Sequence, residues 1–570
     1  MKRLSLLLIA AALSGCAHGG LPDAPRTWGL EGREQMVAAD HPVASEVGAR
    51  ILEAGGNAVD AAVATSLALA VTRPFSAGVG GGGFMLIKFR GKEPAILDYR
   101  ETAPAAAVPA AYVDGGGEVI AGKTMSGHWA AGVPGEIRGL DQALRTYGTM
   151  ELADVAAPAI ELAETGFPVD AMTRKAMKRL AERLKELPDP GEWGAEIARI
   201  FLKDGKPYAL GETLRQPDLA ATLRAVAAEG PDALYRGRIA GLIAADMERH
   251  GGPMTADDLA AYEVKVRTPL RGRFRGFEVM GMPPPSSGGA CLIQMLQVLD
   301  GYDPKELDAP SYYHFMVESM KHAFADRAAF LGDPDAQPEI AEDAAGMISP
   351  ERAARARAAI RSDRTGEPTR YGVHWLKDDQ GTTHYNVFDR HGNAVAATES
   401  INHAFGSLVV PPGTGVVLND ELDDFRVRVG APDEFGLPIP DRNLIRPGHR
   451  PMSSMSPTLL LKDGEAVLAA GASGGPRIIT ATLQAIVNIV DFGLRPDEAV
   501  AAKRVHHQWS PDLVRVEEGL PAAIRMRLLD SGHRLARYKS HAGICQVIYK
   551  DGDVLYGASD PRKGGRPAGR

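Results

Sequence analysis

Residues 382–400 read TTHYNVFDRHGNAVAATES, and this stretch decides the fold. Two strand-like runs flank a polar, glycine-containing turn at 389–392, which is the pattern of a β-hairpin. Pairing about that turn predicts that Thr382 lies across from about Ser400, at roughly 5 Å between opposed backbones. Two hydroxyl groups would then stand side by side, with Asn402 just beyond them.

A second hairpin is predicted around the turn at 462–465, where Asp-Gly separates two apolar runs. Its pairing brings the serine pair 453–454 alongside the glycine pair 474–475. A proline and a helical pattern over 477–491 follow these glycines. Their backbone N–H groups are therefore expected at a helix N-terminus, where negative charge is favoured.

A third hairpin, around Gly91, places Arg100 opposite the glycine run 80–83. Gly78, Gly80 and Gly83 have the spacing of a dinucleotide-binding fingerprint. That fingerprint must follow a strand and open a helix. Here the glycines follow a helical pattern and precede a strand, so the pattern argues against a nucleotide site.

The remaining chain alternates between helical and strand patterns. Helices are predicted at 43–54 and 58–71, and the middle, about 140–360, is dominated by helical patterns. From Thr382 onward the chain is predicted as strands joined by short turns, with one long helix. The pair 546–549 and 554–558 is expected to add edge strands. Together these patterns predict a layered α+β fold.

Composition narrows the classes of function. The chain has 570 residues, of which 45% are hydrophobic, enough for a well-buried core. Its net charge of −8 argues against a nucleic-acid partner, which normally meets a basic surface. Cys291 and Cys545 are far apart, and the sequence does not establish whether they pair. The adjacent pair 506–507 is interpreted as structural, and no other spacing indicates a metal site.

The N-terminus is typical of a targeting segment. Lys2 and Arg3 precede an apolar run at 6–13 that is too short to span a bilayer. The sequence 13–16 resembles the lipobox of bacterial lipoproteins, which predicts a signal peptide over 1–15 and a lipid anchor at Cys16. Ordinary signal cleavage nearby is the alternative. In both cases the protein is expected to leave the cytoplasm, and the lipoprotein reading places it in the periplasm.

From about 40 to 562 the chain resembles the γ-glutamyltranspeptidase family, in motif after motif and in the family's order. The matching segments are 55–62, 98–104, 283–289, 323–327, 382–385, 418–425, 451–458 and 474–475. The resemblance implies a four-layer αββα sandwich of the N-terminal-nucleophile hydrolase type. It also implies that the precursor cuts itself between Gly381 and Thr382. A large subunit (16–381) and a small subunit (382–570) would then form a heterodimer within one αββα unit.

The same resemblance assigns site residues. The catalytic set would be Thr382 as nucleophile, Ser400 to orient its hydroxyl, and the N–H groups of Gly474 and Gly475 to hold the oxyanion. The groups binding the substrate's α-carboxylate would be Arg100, Ser453 and Ser454. Those binding its α-ammonium would be Asn402, Glu421 and Asp424. No metal or cofactor is expected, because the freed α-amine of Thr382 would serve as its own base.

The implied activity is transfer of the γ-glutamyl group of glutathione and similar donors to Thr382. Water, an amino acid or a peptide would then accept it. Several positions depart from the family pattern. Ser400 stands where threonine is frequent, and Asp420 replaces a frequent asparagine. Ala472 and Ser473 precede the glycine pair where Ser-Pro is common, and Phe435 lies about where some members have a lid tyrosine. The segment 426–450 is long enough to form such a lid.

Two other readings stay open. One is a related acylase for another amide, such as a glutaryl side chain or polyglutamate. The retained Arg100, Ser453, Ser454 and Asp424 favour a free amino-acid end over a plain glutaryl group. The other is a non-catalytic surface lipoprotein that keeps the fold, against which the intact Thr382 and Ser400 argue.

Overall fold

The computed structural model describes residues 28–187, 191–367, 381–428, 442–538 and 541–570. Two seven-stranded sheets form the centre of the molecule. Each pairing within them is antiparallel. Strands are labelled β1–β21 and helices α1–α17 in chain order over the described ranges.

The first sheet, sheet I, carries the stretch that opens the sequence analysis. In order across the sheet, its strands are β21 (Ala568–Gly569), β2 (Met36–Ala39), β12 (Gly381–Phe388), β13 (Ala394–Asn402), β3 (Gly82–Lys88), β4 (Ala95–Asp98) and β9 (Lys265–Arg267). The hairpin β12–β13 therefore occupies the centre of the sheet, which confirms the first predicted hairpin. Strand β3 then lies against β13, so close that a Cβ on Gly81 would come within 2.2 Å of the Ser400 carbonyl oxygen. The glycine run therefore allows β3 and β13 to approach each other closely.

The second sheet, sheet II, contains the other two C-terminal hairpins. Its strands, in order, are β1 (Gly29–Gly32), β20 (Val554–Ser559), β19 (Ile544–Asp551), β15 (Glu465–Ser473), β14 (Thr458–Lys462), β11 (Phe277–Gly281) and β10 (Leu270–Phe274). The expectation that 546–549 and 554–558 form edge strands was wrong. Both are interior strands, because β1 from the N-terminal segment covers β20. Such a pairing between distant segments leaves no local signal in the sequence.

The helices form the outer layers. Over the described ranges they are α1 (Pro42–Glu53), α2 (Ala58–Thr72), α3 (Glu136–Tyr147), α4 (Leu152–Thr165), α5 (Ala171–Glu186), α6 (Gly191–Phe201), α7 (Pro217–Glu229), α8 (Asp232–Tyr235), α9 (Arg238–Arg249), α10 (Ala256–Ala261), α11 (Gly288–Leu299), α12 (Ala309–Phe330), α13 (Glu339–Met347), α14 (Pro350–Ala359), α15 (Arg477–Val490), α16 (Pro496–Ala501) and α17 (Ala522–Asp530). Short strands make three small accessory sheets: β5 (Phe167–Pro168), β6 (Leu202–Lys203), β7 (Lys206–Pro207), β8 (Thr213–Leu214), β16 (Val505–His506), β17 (Val514–Val516) and β18 (Leu535–Arg537).

The middle of the chain is mainly helical, as predicted, but it also supplies β9, β10 and β11 to the two main sheets. The C-terminal part contains the short helices α16 and α17 besides the long helix α15. Both differences concern short elements, whose hydrophobic patterns are too brief to separate strand from helix.

Three hydrophobic cores define the layers. In the first, α2 packs on the outer face of sheet I, where Leu67 meets Met85 and Val387. In the second, α11, α12 and α15 pack on the outer face of sheet II. The third lies between the sheets and joins Leu86 of β3 to Leu459 of β14. The order helix, sheet, sheet, helix confirms the predicted αββα sandwich.

Two further observations bear on the sequence analysis. Cys291 and Cys545 are both buried and free. Among the described residues, no helix is long and apolar enough to cross a membrane. The predicted signal peptide and Cys16 lie outside the described residues.

Candidate active site

The peptide between Gly381 and Thr382 opens β12 at the end of sheet I. Gly381 pairs with Asn402 and Thr383 pairs with Glu399, so the register shifts by a bulge between them. A bulge reorients the residue that it contains. Thr382, only 2% exposed, is thereby held at the irregular position of the strand.

Two hydroxyl groups converge on the Gly381 carbonyl oxygen. The Thr382 hydroxyl donates to it at 2.6 Å, and the Ser400 hydroxyl donates at 2.5 Å. The two hydroxyl oxygens are 3.3 Å apart, as the hairpin register predicts. The Asn402 N–H in turn donates to the Ser400 oxygen at 2.8 Å. Ser400 thus withdraws electron density from the carbonyl that Thr382 would attack.

His384, two residues after Thr382, is not available as a base. Its ring nitrogens lie 2.8 Å from the Thr398 hydroxyl and 3.1 Å from the Asn386 side-chain oxygen. Burial lowers the pKa of His384 to about 3, so the ring stays neutral. Both nitrogens are thus occupied within the layer between the sheets. This leaves the α-amine that cleavage would free on Thr382 as the nearest base.

Arg100 is the centre of a buried ion cluster. Its guanidinium lies 2.7 Å from the Glu421 carboxylate and donates to Asp424 at 2.5 Å, and Glu101 is 3.6 Å away. Burial lowers the pKa of Arg100, but Glu421 and Asp424 reverse the effect and raise it overall. Burial raises the pKa of Glu101 to about 8, against the opposing effect of Arg100. The predicted carboxylate-binding and ammonium-binding groups therefore form one cluster.

Asn402 joins this cluster to Ser400 and Thr382. Its side-chain amide donates to the Asp420 carbonyl oxygen at 3.0 Å, next to Glu421, while its backbone N–H contacts Ser400. The side-chain oxygen of Asn402 is buried and has no hydrogen-bond partner. A buried acceptor without a donor is costly. A bound ammonium group would supply that donor, which fits the role predicted for Asn402.

Ser453 and Ser454 lie beside Arg100, whose Nε donates to the Pro451 carbonyl oxygen at 3.4 Å. Ser453 pairs with Ser286 in the loop before α11. The Ser454 hydroxyl accepts a hydrogen bond from Arg327 at 3.1 Å. The sequence analysis singled out the segment that contains Arg327 but gave Arg327 no role.

Gly474 and Gly475 form the turn between β15 and α15, with φ values of 124° and 59° that side chains rarely adopt. The turn is tied down by Arg477, whose Nε donates to the Gly474 carbonyl oxygen at 2.7 Å. Both glycines thus precede a helix N-terminus, as predicted. Gly474 lines a small cavity of about 40 Å³ together with Lys563.

Lys563 was missed by the sequence analysis. Its ammonium donates to the Thr382 carbonyl oxygen and to Asp40, each at 2.7 Å. Asp40 also accepts from the Thr383 hydroxyl at 2.8 Å and from the Gln546 side chain. Lys563 and Asp40 come from opposite ends of the chain, so no local motif indicates that they meet. They hold the backbone at Thr382 and Thr383 in place.

Two further departures from the family pattern are Asp420 and Phe435. Asp420 is buried, and its carboxylate accepts from the His403 N–H at 2.9 Å and lies 2.8 Å from the His403 ring. Its charge is therefore partnered locally. Phe435 lies outside the described residues, as does most of the segment 426–450. The ends of that segment meet where Arg426 pairs with Leu444.

Elsewhere in the described ranges, two groups could bring three metal-ligating atoms within 4.8 Å of one another: His128, Asp246 and His250, and His314, Glu318 and His533. Neither group includes a residue of the site above. In the first group, His128 Nε2 lies 2.9 Å from the Asp246 carboxylate and His250 Nδ1 lies 3.0 Å from the Asp246 carbonyl oxygen, so both rings have hydrogen-bond partners on Asp246. Lys321 lies 2.8 Å from Glu318 in the second group, where a cation would be repelled.

Comparison with known proteins gives consistent matches. A family model described as gamma-glutamyltranspeptidase matches residues 44–570. The glutathione hydrolase proenzyme of Escherichia coli K12 is 40% identical over 98% of this chain and 97% of its own length. Cephalosporin acylase from Bacillus halodurans has a TM-score of 0.85 at 29% identity, covering 97% of this chain and 98% of that chain. The gamma-glutamyltranspeptidase of Helicobacter pylori has a TM-score of 0.54 at 37% identity, covering 57% and 91%.

Replacing Lys563 by methionine should slow cleavage before Thr382 by about tenfold or more. The change removes a donor to the Thr382 carbonyl oxygen and the cation that pairs with the Asp40 carboxylate. A hydrogen bond to a charged group contributes roughly 1.5–3 kcal/mol. Denaturing gels of the expressed protein over time measure the cleaved fraction. Lys305→Met, at an exposed position, is the matched control. Equal cleavage rates in wild type and Lys563→Met would contradict this role.

Proposed function

The chain belongs to the γ-glutamyltranspeptidase family, and we propose that Thr382 takes up the γ-glutamyl group of glutathione and similar donors after the precursor cuts itself before that residue. The enzyme is an N-terminal-nucleophile hydrolase with γ-glutamyltransferase and glutathione hydrolase activity. The observation that carries the proposal is the convergence of the Thr382 and Ser400 hydroxyls on the Gly381 carbonyl oxygen.

This geometry supports self-cleavage through an ester intermediate. The Thr382 oxygen adds to the Gly381 carbonyl carbon and loses its proton, while Ser400 holds the developing oxyanion. The C–N bond then breaks, the Thr382 nitrogen takes a proton, and an ester joins Gly381 to the Thr382 oxygen. Water hydrolyses this ester. The products are a large subunit ending at Gly381 and a small subunit beginning with a free Thr382 amine.

Turnover reuses the same atoms. The free amine has an ordinary pKa of about 7.7–8.0, so it accepts the hydroxyl proton near neutral pH. The hydroxyl oxygen attacks the γ-carbonyl of the donor, and the amide nitrogen leaves with a proton. The N–H groups of Gly474 and Gly475 hold the oxyanion, a role in which one donor contributes about 2.7–4 kcal/mol. Water, an amino acid or a peptide then accepts the glutamyl group from the ester.

The buried ion cluster explains why a zwitterionic donor would be selected. The α-carboxylate would pair with Arg100 and the hydroxyls of Ser453 and Ser454. The α-ammonium would take over the pairing with Glu421 and Asp424 and would donate to the unpartnered oxygen of Asn402. Binding would replace the pairs that Arg100 forms with Glu421 and Asp424 by an Arg100–carboxylate pair and a pairing of the ammonium with those two acids. The charges of the site stay compensated, which is the condition for burying charge at acceptable cost.

The alternative of an acylase for a plain glutaryl group has structural relatives, since a cephalosporin acylase shares the fold. The arrangement around Arg100 disfavours it. A glutaryl carboxylate would compete with Glu421 and Asp424 for Arg100 and would leave the buried Glu421 and the half-buried Asp424 without a cation. A donor with an α-ammonium group removes this conflict.

Thr382→Ala should leave the precursor whole and abolish turnover, because the hydroxyl needed for both reactions is gone. Denaturing gels and hydrolysis of a γ-glutamyl anilide measure the two effects. Thr382→Ser keeps the hydroxyl but loses the methyl group that restricts χ1, so slow cleavage and weak activity are expected. In the wild type, N-terminal sequencing of the smaller fragment should begin Thr-Thr-His.

A wild-type fragment that starts elsewhere, or an uncut Thr382→Ala protein that hydrolyses the anilide at a rate near wild type, would overturn the assignment of Thr382. A single uncut wild-type band without activity would instead support a non-catalytic lipoprotein.

Asp424→Ala should lower kcat/KM for a γ-glutamyl donor by about tenfold or more, mainly through KM. The variant removes a charged partner of the ammonium group, and a hydrogen bond to a charged group contributes roughly 1.5–3 kcal/mol. Steady-state anilide hydrolysis measures the change. Asp553→Ala, in an exposed turn, should match wild type. Unchanged kinetics in Asp424→Ala would mean that the ammonium group binds elsewhere.

The periplasmic location and the lipid anchor at Cys16 are also part of the proposal, supported by the N-terminal pattern alone. Cys16→Ser should lose incorporation of labelled fatty acid and should move the protein from the membrane fraction to the soluble periplasm. A wild-type protein that is already soluble and unlabelled would show that ordinary signal cleavage occurs.

A further inference from the structure

Arg327, near the end of α12, is a buried arginine with an unusual set of contacts. It is 5% exposed, and its Nε donates to the Ser287 hydroxyl at 2.8 Å. One terminal nitrogen donates to the Ser454 hydroxyl at 3.1 Å, and the other has no hydrogen-bond partner. The side chain therefore reaches from the helical layer to the serine segment beside Arg100.

These contacts fix the direction of the hydrogen bonds. A guanidinium group can only donate, so the oxygens of Ser287 and Ser454 must accept from it. The Ser287 hydroxyl passes its own hydrogen to the Ser453 carbonyl oxygen at 2.7 Å, which holds the serine segment in place. The hydrogen of the Ser454 hydroxyl is left to point away from Arg327. Ser454 is thereby set as a donor, the role that binding a carboxylate requires.

The charge of Arg327 is not balanced by a local carboxylate. Its neighbour Asp326 is occupied by Arg352 and by the Gln294 side chain, which donate to it at 2.8 and 2.6 Å. In the described part of the chain, no carboxylate lies within ion-pair distance of Arg327. Burial accordingly lowers the pKa of Arg327, and Asp424, which attracts it from across the site, is already paired with Arg100. A buried cation without a carboxylate of its own stabilises an anion that binds beside it.

We propose that Arg327 is a positioning residue that orients the Ser454 hydroxyl toward the donor's α-carboxylate, and that it selects, together with Arg100, donors that carry a carboxylate at this position. The inference rests on the proposed γ-glutamyl function. It specifies how that site distinguishes a donor with an α-carboxylate from an otherwise identical donor without one. A donor without the α-carboxylate gains nothing from the serine hydrogen or from the second buried cation. Its turnover should therefore not depend on Arg327.

The test compares two donors that differ only in the α-carboxylate: a γ-glutamyl anilide and the corresponding 4-aminobutanoyl anilide. Arg327→Met should raise KM and lower kcat/KM at least about tenfold for the glutamyl donor, the loss expected for a hydrogen bond to a charged group. For the 4-aminobutanoyl donor, kcat/KM should stay within about twofold of wild type. Arg355→Met, an exposed arginine on α14, is the matched control.

Two more variants cover the case in which Arg327→Met fails to fold or to cleave itself. Arg327→Lys keeps the charge but loses the planar fork, so it should show a smaller loss that is still confined to the glutamyl donor. Ser454→Ala should show the same donor-specific loss. Adding Arg327→Lys to Ser454→Ala should cost little more, because the two side chains act through one hydrogen bond.

Equal losses with both donors would show that Arg327 only supports the fold, and unchanged kinetics with the glutamyl donor would show that it has no role. Fully additive losses in the double variant would show that Arg327 does not act through Ser454. Each of these results overturns the proposal. Wild-type turnover of the glutamyl anilide tests the proposed function separately.

Discussion

The hydrogen bond from the Ser400 hydroxyl to the Gly381 carbonyl oxygen is the interaction on which the site depends. It exists because β12 and β13 pair with Gly381 opposite Asn402 and Thr383 opposite Glu399, so that the bulge between them brings Thr382 next to Ser400. A slip of one residue would turn Ser400 to the other face of the sheet and leave Thr382 without its partner. Both strands are central in sheet I, flanked by β2 and β3, so neighbouring strands hold this register on each side.

The same topology explains how a chain can be cut and remain one molecule. Sheet I takes β2, β3, β4 and β9 from before Gly381 and β12, β13 and β21 from after it. Sheet II also combines strands from both sides of the proposed cut, with β1, β10 and β11 from before it. Cleavage at one peptide bond therefore leaves the interstrand hydrogen bonds and all three hydrophobic cores in place. The new amine that the proposed cut gives Thr382 would then stay where the bond was broken.

Local patterns in the sequence predicted the parts of this structure that depend on local pairing. The turn at 389–392 placed Thr382 beside Ser400, and the Asp-Gly turn of the second hairpin gave the pairing of β14 and β15. The family resemblance supplied the roles of Arg100, Glu421 and Asp424, which the structure brings into one cluster. Contacts between distant segments were not predictable in this way. Lys563 and Asp40 meet from opposite ends of the chain, and β1 covers β20, without a motif that joins them.

Charge compensation links the two charged parts of the site, one around Arg100 and one around Arg327. Arg100 is saturated by Glu421 and Asp424, whereas Arg327 has hydroxyl partners and an unpaired nitrogen. A zwitterionic donor would complete both sets at once, since its carboxylate would supply the missing anion and its ammonium would release Arg100 from the acids. The proposed donor carries these two charges on one carbon atom. In the proposed reaction, the hydroxyl of Thr382 at the start of β12 then meets the carbonyl at the other end of that donor.

The central claim is that Thr382 carries the glutamyl group as an ester. Rapid acid quenching of the enzyme during turnover, followed by intact-mass and tandem mass spectrometry of the small subunit, tests it most directly. The account predicts a mass increase equal to one glutamyl residue, located on the N-terminal Thr382 and lost on treatment with hydroxylamine. A label on any other residue during active turnover would contradict it.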